Sequence, residues 1–292
     1  MSELLVVEGV TKTYSMGGLF GRGAFPAVDD VGFTIAAGRP EIFTIVGESG
    51  SGKTTLSRMI LGLVPPSAGT IRFRGEDVTG LRGGRARMAF MAAMQPIFQN
   101  PFEAFNPLKR VDRYLLMTAR RFRGAKSGRQ AEETADAALR KVGLSYAEVQ
   151  GRFPHELSGG QLQRTAIARA LIPGPALLIA DEPVSMVDAS LRMSIVELFK
   201  SLRDDLRVSI IYITHDLATA YYISDRIIIM QKGRVVEAGS ARSVLDDPQH
   251  PYSILLKESI LSPEVTGRLS VEPDPEPPRR ARTYPTPQEA PG

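Results

Sequence analysis

The feature that most limits how this chain can fold is a glycine-rich octapeptide between an apolar run and an amphipathic run. It reads Gly47-Glu48-Ser49-Gly50-Ser51-Gly52-Lys53-Thr54, which fits the pattern of a glycine, four residues and then Gly-Lys-Ser/Thr. The apolar run Ile42–Val46 precedes it, and apolar residues at helical spacing follow it, at Leu56, Met59, Ile60 and Leu63. This order predicts a strand, a loop and a helix, which is the context of a phosphate-binding loop.

Each residue type in this loop has a physical role in holding phosphate. Glycines let the backbone curl so that successive N–H groups converge on one anion, and the helix adds the positive end of its dipole. We expect Lys53 to reach the outer phosphates and the Thr54 hydroxyl to be a magnesium ligand. The alternative is an incidental glycine-rich turn, which leaves the flanking strand and helix as coincidence. The pattern therefore predicts nucleotide binding.

Composition excludes several classes of protein. The 292 residues can bury a large core, as one domain with an appendage or as two small domains. There is no cysteine, which excludes disulfides, thiolate zinc sites and cysteine-ligated iron–sulfur clusters. No apolar run approaches the roughly eighteen residues of a membrane span, and Met1-Ser2-Glu3 lacks the features of a signal sequence. We expect any action at a membrane to depend on a partner.

The net charge of +4 is a modest basic bias. Its densest cluster comprises Arg120, Arg121, Arg123, Lys126 and Arg129. We favour a solvated helix face over a patch for anionic headgroups or nucleic acid, because aromatic residues do not interleave the cluster as base stacking requires.

Short apolar runs alternate with helical patterns, which predicts an α/β fold with a largely parallel sheet covered on both faces. The runs are Leu4–Val7, Val31–Ile35, Ile42–Val46, Leu177–Ala180, Val208–Ile213 and Ile227–Met230. Between about residues 100 and 151 the pattern changes to two helical segments, Val111–Arg123 and Ala131–Val142, which indicates an inserted helical subdomain. Prolines accumulate from Ser262 onward, and this tail is predicted to be extended or disordered.

Two acids follow the apolar run Leu177–Ala180. Ligands bind at the carboxyl ends of strands in parallel sheets, which is where this pattern places Asp181 and Glu182. Asp181 is expected to hold magnesium through water, and Glu182 to polarise an attacking water. The alternative is a pair of surface acids after a core strand, and the phosphate-binding loop upstream favours the catalytic interpretation.

The pentapeptide Leu157-Ser158-Gly159-Gly160-Gln161 predicts a second anion site. Ser158 can cap a helix whose apolar stripe begins at Leu162, and the two glycines leave backbone N–H groups uncovered. Two phosphate cradles on one chain suggest that one ATP is shared between two copies. The alternative is an ordinary capped helix.

Together these motifs resemble the nucleotide-binding subunit of an ABC transporter, over about residues 4 to 260. The motifs also occur in the order found in that family. The resemblance assigns Tyr14 to adenine stacking, Gly47–Thr55 to the P-loop (Gly47, Glu48, Ser49, Gly50, Ser51, Gly52, Lys53, Thr54 and Thr55), Gln99 to the glutamine loop, Leu157–Gln161 to the signature, Asp181 and Glu182 to Walker B, Asp188 to the D-loop, and His215 to the switch histidine.

Some of these assignments leave alternatives open. Gln99 can contact magnesium or the attacking water, and Gln95 is a nearby competitor that lacks the Phe-Gln-Asn-Pro context. His215 follows an apolar strand and can donate a hydrogen bond to the γ-phosphate. Tyr14 could also be an edge-strand tyrosine without an adenine contact. We interpret His155 and His250 as structural.

Three further features resemble the dipeptide/oligopeptide branch of importer ATPases, which also includes subunits of nickel, opine and oligosaccharide importers. They are Gly17–Gly23, Phe98-Gln99-Asn100-Pro101 with Phe105-Asn106-Pro107, and His250-Pro251-Tyr252-Ser253. The chain departs from the family in Ser185-Met186-Val187-Asp188, where Ser-Ala-Leu-Asp is commoner, and in extra residues at Gly38–Glu41.

The resemblance implies an ABC-type P-loop NTPase fold. Its parts are a largely parallel sheet core, an antiparallel N-terminal β subdomain and an inserted helical subdomain at about 100–165. These lie in a nucleotide-binding domain of 1–262, with a C-terminal extension from about 240 and a proline-rich tail at 263–292.

The implied function is that of the ATP-hydrolysing motor of a bacterial importer for peptides or a related solute, peripheral on the cytoplasmic face of the plasma membrane. The implied cofactors are ATP and Mg²⁺, with Thr54, Gln99 and Asp181 as metal ligands. The implied partners are a second nucleotide-binding subunit, identical or related, two transmembrane permease subunits and, indirectly, a solute-binding protein. No nucleic acid is expected.

The main alternative is an ABC-type ATPase of DNA repair or chromosome maintenance. Such proteins carry long coiled-coil arms between P-loop and signature, and the hundred or so residues available here leave no room for them. A small-molecule kinase would leave the signature unexplained.

Overall fold

A computed structural model of the protein describes residues 2–18, 21–81 and 83–261. They fall into two compact units, the first within Met1–Leu81 and Thr214–Gly292 and the second within Arg82–Ile213. The predicted tail at 263–292 lies outside the described residues. The predicted boundaries of the helical subdomain and of the C-terminal extension stay predictions.

Among the described residues the strands are, in chain order, β1 (Glu3–Gly18), β2 (Gly21–Ala36), β3 (Ile42–Val46), β4 (Ala68–Phe73), β5 (Glu76–Asp77), β6 (Met94–Ile97), β7 (Leu177–Asp181), β8 (Ser209–Thr214), β9 (Arg226–Gln231) and β10 (Arg234–Ser240). The α-helices are α1 (Lys53–Ile60), α2 (Gly84–Ala93), α3 (Val111–Arg123), α4 (Gly128–Arg140), α5 (Tyr146–Val149), α6 (Gly159–Leu171), α7 (Ala189–Leu206), α8 (Leu217–Ile223), α9 (Ala241–Asp246) and α10 (Pro251–Leu261). Short 3₁₀ helices occupy Pro101–Ala104 and Pro154–Glu156.

The first unit contains an antiparallel sheet in the order β2-β1-β4-β5. Its β1 and β2 strands bury Leu5, Val7, Phe33 and Ile35 completely. The same unit contains β3 paired in parallel with β9, which pairs in antiparallel fashion with β10. Helices α8, α9 and α10 pack over these strands around an apolar cluster that includes Val46. The loop that follows β3 therefore begins from a fixed, buried strand.

The second unit contains β6, β7 and β8, all parallel, with β7 in the middle. Apolar side chains of β7 are fully or almost fully buried, as expected for a strand covered on both faces. Between residues 98 and 176, all of which are described, the regular secondary structure consists of helices alone. Helices α3 and α4 pack against each other and against α6. Helix α3 occupies the predicted range, whereas α4 begins at Gly128 because Ser127 accepts a hydrogen bond from the Gln130 N–H and so caps it.

Across residues 2–18, 21–81 and 83–261, every helix is too short or too polar to cross a bilayer.

Candidate nucleotide-binding site

The glycine-rich loop joins β3 to α1 and packs directly against neighbouring backbone. A Cβ atom at Gly47 would lie 2.2 Å from the Met230 carbonyl oxygen, and one at Gly52 would lie 2.2 Å from the Ala27 carbonyl oxygen. Gly52 also has φ +103°, a backbone conformation that side chains disfavour. Glycine at both positions is therefore required by packing, independently of any ligand.

The ammonium group of Lys53 lies inside the curl of this loop. Its Nζ atom donates to the carbonyl oxygens of Gly47 at 2.6 Å and Glu48 at 2.8 Å, and it lies 3.4 Å from Ser51 Oγ. The residue is only 5% exposed. The loop thus encloses a positive charge that donates to two backbone carbonyls, and a phosphate would be a stronger acceptor than either carbonyl.

The first turn of α1 supplies further donors. Its N-cap residue is Gly52, which has no side chain to cap the first backbone N–H groups, and the first turn contains no acidic residue. These N–H groups lack partners within the helix, and they carry the positive end of its dipole. Thr54 and Thr55 lie in the first turn of α1. Thr54 is exposed and Thr55 is half-buried, so both residues lie near the surface of the protein.

Two hydrogen bonds connect the loop to residues far from it in the sequence, and no sequence motif predicts either bond. The Gly233 N–H, in the turn between β9 and β10, donates to the Ser51 carbonyl at 3.0 Å. The Glu48 N–H donates to the Tyr252 hydroxyl at 3.0 Å. In the sequence, Tyr252 is part of a motif that resembles the importer branch. Its spacing from the loop gives no sign of a contact between them.

Tyr14 and His215 also lie in the first unit. Tyr14 is on β1 and is 44% exposed, with Lys12 Nζ 5.4 Å from its ring centroid. His215 is exposed and follows β8. Its neighbour Asp216 caps α8 by accepting from the Ala218 N–H at 2.9 Å, which fixes the turn that presents the imidazole. Adenine stacking and γ-phosphate contact stay predictions for these two residues.

In the second unit, Asp181 is the last residue of β7 and Glu182 follows it. The Glu182 N–H donates to the Ile213 carbonyl at 2.9 Å, and the residue has φ +45°. A non-glycine residue in this left-handed region is uncommon, and such residues cluster at functional sites. Asp181 and Glu182 thus lie at the carboxyl end of the parallel strands, where the sequence places them.

The structure brings Gln99 and Glu182 together. The amide Nε2 of Gln99 donates to Glu182 Oε2 at 2.9 Å, and Gln99 is exposed. The competing Gln95, on β6, instead donates its side-chain amide to the carbonyl of Met91 on α2. The geometry thus places Gln99, and not Gln95, in hydrogen-bond contact with Glu182, and the catalytic roles of Gln99 and Glu182 stay predictions.

The signature residues form the start of α6. Ser158 Oγ accepts from the Gln161 N–H at 3.2 Å, while Gln161 Oε1 accepts from the Ser158 N–H at 3.1 Å, a reciprocal capping box. Ser158 and Gly159 are exposed, whereas Gly160 is buried. This helix start lies beside the segment 186–191, because a Cβ atom at Gly160 would lie 3.0 Å from Leu191 Cδ1. Asp188 is exposed in that segment, where it is the N-cap residue of α7.

Among the described residues there is no group of three or more histidine, cysteine, aspartate and glutamate side chains that could hold a metal ion. The predicted magnesium ligands are instead a hydroxyl, an amide and one carboxylate.

Comparison with known proteins identifies the class. The sequence profile of the ABC transporter family matches residues 28–185. A Sinorhizobium fredii protein named "Probable peptide ABC transporter ATP-binding protein" is 39% identical over 272 residues, covering 92% of this chain and 76% of that protein. The oligopeptide transport ATP-binding protein AppF of Bacillus subtilis is 37% identical over 260 residues, covering 88% of this chain and 78% of that protein.

A solved structure is also similar. The ATP-binding cassette MJ0796, in a dimeric post-hydrolysis state bound to ADP and Pi, aligns with a TM-score of 0.70 and 28% identity, covering 82% of this chain and 99% of that one. This chain belongs to the ABC transporter family. The predicted family, the predicted ABC-type P-loop fold and the predicted class of enzyme, an ATPase, are confirmed.

Proposed function

We propose that this protein is the ATP-hydrolysing subunit of a bacterial importer for peptides or a related solute, acting at the cytoplasmic face of the plasma membrane. Relatives that align with about nine-tenths of the chain are named for peptide or oligopeptide transport. The single observation that carries the ATPase part is the buried Lys53 ammonium inside the curled loop. The comparisons give no support to a role in DNA repair or chromosome maintenance.

Nucleotide binding exchanges acceptors on Lys53. The ammonium turns from the carbonyls of Gly47 and Glu48 to phosphate oxygens, whose full negative charge attracts it more strongly than a neutral carbonyl does. The uncapped N–H groups at the start of α1 take the remaining oxygens. Thr54, Gln99 and Asp181 would hold Mg²⁺, which when bound neutralises charge on the β- and γ-phosphates.

Hydrolysis requires one water that attacks the γ-phosphorus, and Glu182 is the base that accepts its proton. The Gln99 amide donates to Oε2 of Glu182 and so orients this carboxylate. The water oxygen bonds to the γ-phosphorus, the bond to the β–γ bridging oxygen breaks, and the proton passes through Glu182 to the phosphate product. His215 donates a hydrogen bond to the γ-phosphate as its charge redistributes.

A second nucleotide-binding subunit, identical or related, completes each site. Ser158 and Gly159 are exposed at the start of α6, and this helix start offers backbone donors and a helix dipole to the γ-phosphate of the partner's ATP. Closure then depends on the γ-phosphate, because only ATP makes contacts with both halves. Two transmembrane permease subunits dock beside Gln99 and Pro101–Arg123, and a solute-binding protein delivers the cargo to them.

The ATPase part is tested with the full-length chain. We expect wild-type protein to bind a fluorescent ATP analogue with Mg²⁺ and to release phosphate, and Lys53→Ala to lose binding because the enclosed charge is gone. Arg58→Ala, which removes an exposed cation from the same helix, is the matched control and should bind as wild type does. Equal ATP affinity in wild type and Lys53→Ala would contradict the proposed site.

The importer part is tested by coexpression with the permease subunits. We expect the protein to copurify with two hydrophobic permeases, and solute uptake to stop in Lys53→Ala cells. Salt-sensitive DNA binding without permease association would point to the DNA-repair alternative instead.

A further inference from the structure

The C-terminal helix α10 places a buried tyrosine behind the phosphate-binding loop. Tyr252 is only 3% exposed, and its ring packs in the apolar cluster that contains Val46, the last residue of β3. Its hydroxyl oxygen accepts a hydrogen bond from the Glu48 N–H at 3.0 Å. The tyrosine thus contacts both the strand that leads into the loop and the second residue of the loop.

Glu48 is consequently fixed at both of its backbone groups. Its N–H is bound by Tyr252, and its carbonyl accepts from Lys53 Nζ at 2.8 Å and from the Ser51 N–H at 3.2 Å. When Lys53 turns to phosphate, one of the bonds to the Glu48 carbonyl is lost. The bond from Tyr252 does not depend on Lys53, so it is available to hold this part of the loop in both states.

The position of Tyr252 is itself held by a chain of hydrogen bonds. The Glu237 carboxylate on β10 accepts from the Gln249 N–H at 2.9 Å and the His250 N–H at 3.2 Å. His250 Nδ1 then accepts from the Tyr252 N–H at 3.1 Å, which caps the start of α10. These bonds hold the start of α10 against β10, and they therefore fix the position of the Tyr252 side chain relative to the loop.

The hydroxyl distinguishes this arrangement from simple packing. A phenylalanine would fill the same apolar cluster, and the adjacent Ser253 shows that a buried hydroxyl here need not find a partner, since its Oγ atom has none among the described residues. Burial also raises the pKa of the Tyr252 phenol, which keeps it neutral beside the loop.

We infer that Tyr252 is a positioning residue of the nucleotide site, whose hydroxyl holds the loop at Glu48 in the conformation that receives phosphate. The inference rests on the proposed nucleotide site. It makes α10, whose Tyr252 lies 204 residues after Glu48 in the sequence, a part of the phosphate-binding machinery.

Tyr252→Phe tests this directly, because it removes the hydroxyl and keeps the ring. We expect ADP and ATP affinity to fall about three- to tenfold, the range expected for one hydrogen bond. KM for ATP should rise by a similar factor while kcat at saturating ATP changes little, because bound phosphate orders the loop. Ser253→Ala removes the neighbouring unpartnered hydroxyl, and it should leave affinity and KM unchanged.

Hydrogen exchange at the Glu48 amide supplies a readout that packing alone does not move. In nucleotide-free wild-type protein this amide should exchange more slowly than those of Ser49 and Gly50, which are exposed in the loop. In Tyr252→Phe the protection at Glu48 should be lost while the thermal midpoint changes little.

Three results separate the possible failures. Wild-type affinity and wild-type Glu48 exchange in Tyr252→Phe would overturn the positioning role. If both Tyr252→Phe and Ser253→Ala lower nucleotide affinity, each in proportion to its loss of stability, the positioning role is also overturned. The effect is then one of packing. Failure of the wild-type chain to bind ADP would instead refute the proposed function.

Discussion

Two helix starts in this protein solve the same problem in opposite ways. Helix α1 begins after Gly52 with no side-chain cap, while α6 begins after Ser158 with a complete reciprocal capping box. Every helix start leaves N–H groups without intrahelical partners, so the uncapped one depends on something outside the helix. In the free protein the α1 start encloses a buried lysine, whereas at the α6 start the Ser158 side chain already binds the Gln161 N–H.

The two helix starts therefore have different roles in the proposed mechanism. The loop before α1 binds an anion within one chain, because it combines backbone N–H donors with the Lys53 ammonium. The start of α6 is a preformed surface that needs no nucleotide to keep its shape, so it can contact a partner's phosphate as a rigid element. Substitutions at the two starts should therefore have very different consequences.

The largest effect is expected for Gly52→Ala. The added Cβ would lie 2.2 Å from the Ala27 carbonyl oxygen at φ +103°, so the loop cannot keep its path. We expect nucleotide binding to be lost and the free energy of unfolding to fall by at least about 2 kcal/mol. Thermal unfolding and ADP titration measure both quantities.

The matched substitution in the other helix is Gly159→Ala, where the added Cβ would lie 3.6 Å from the Met186 carbonyl oxygen, an ordinary contact. Stability and ADP affinity should be unchanged there. A Gly52→Ala protein that binds ADP normally would show that the two starts do not differ as described.

Glu182→Gln should separate nucleotide binding from the hydrolysis step. The amide keeps the shape of the side chain but cannot accept the water proton, so turnover should fall by about a hundredfold or more while ATP affinity is retained. Phosphate release and ATP binding measure the two effects. The variant with ATP should also form a dimer detectable by size-exclusion chromatography, which is where both helix starts would contact one nucleotide.

Undiminished hydrolysis in Glu182→Gln would show that another group is the base. Gln95→Ala is the matched control, because that side chain donates to the Met91 carbonyl on α2 instead of to Glu182, and its loss should not alter turnover.

A smaller effect is expected for Ser158→Ala. Loss of the Oγ acceptor and of the capping box should lower the free energy of unfolding by about 1 kcal/mol. Nucleotide affinity of the single chain should not change, since the proposed ligand of this helix start belongs to the partner subunit. Loss of ADP affinity in the monomer would contradict that assignment.

The smallest effect is a dependence on pH. It distinguishes the neutral capping box of α6, which contains Gln161, from the capping box of α5, which contains the carboxylate of Glu148. At the start of α5 the Glu148 carboxylate accepts from the Ser145 N–H and hydroxyl, both at 2.7 Å, and these hydrogen bonds lower the pKa of Glu148 below its ordinary value of 4.5. A lowered folded-state pKa means that this stabilisation is present above the ordinary value and is lost as pH falls through the folded-state value. Gln161 does not titrate.

Amide exchange measured from neutral to acidic pH, corrected for intrinsic rates, checks this difference. The Ser145 amide should lose protection as Glu148 becomes protonated, while the Ser158 amide should keep it. Parallel loss at both amides would indicate general acid unfolding rather than titration of one cap.

Parts of the fold could be predicted because their causes are local. Helix α3 occupies the range that its apolar spacing predicts, and Ser158 caps α6 as the pentapeptide suggests. Strand β6 was missed, since Met94-Gln95-Pro96-Ile97 is short, polar and interrupted by proline. It is a strand because it pairs in parallel with β7, a cause that lies about eighty residues away in the sequence. Strand β4 was missed for the same reason, because it pairs with the distant β1, whereas β10 is a hairpin partner of the adjacent β9 that its mixed polar sequence did not indicate.

The sequence alone places the glycine-rich loop, the two acids after β7 and the start of α6, because a strand end or a helix start is specified by neighbours only a few residues apart. Which distant groups meet depends on the tertiary structure. Gln99 and Glu182 are separated by 83 residues and Glu48 and Tyr252 by 204, yet each pair forms one hydrogen bond. Such contacts follow from how strands and helices pack, and no local spacing encodes that packing.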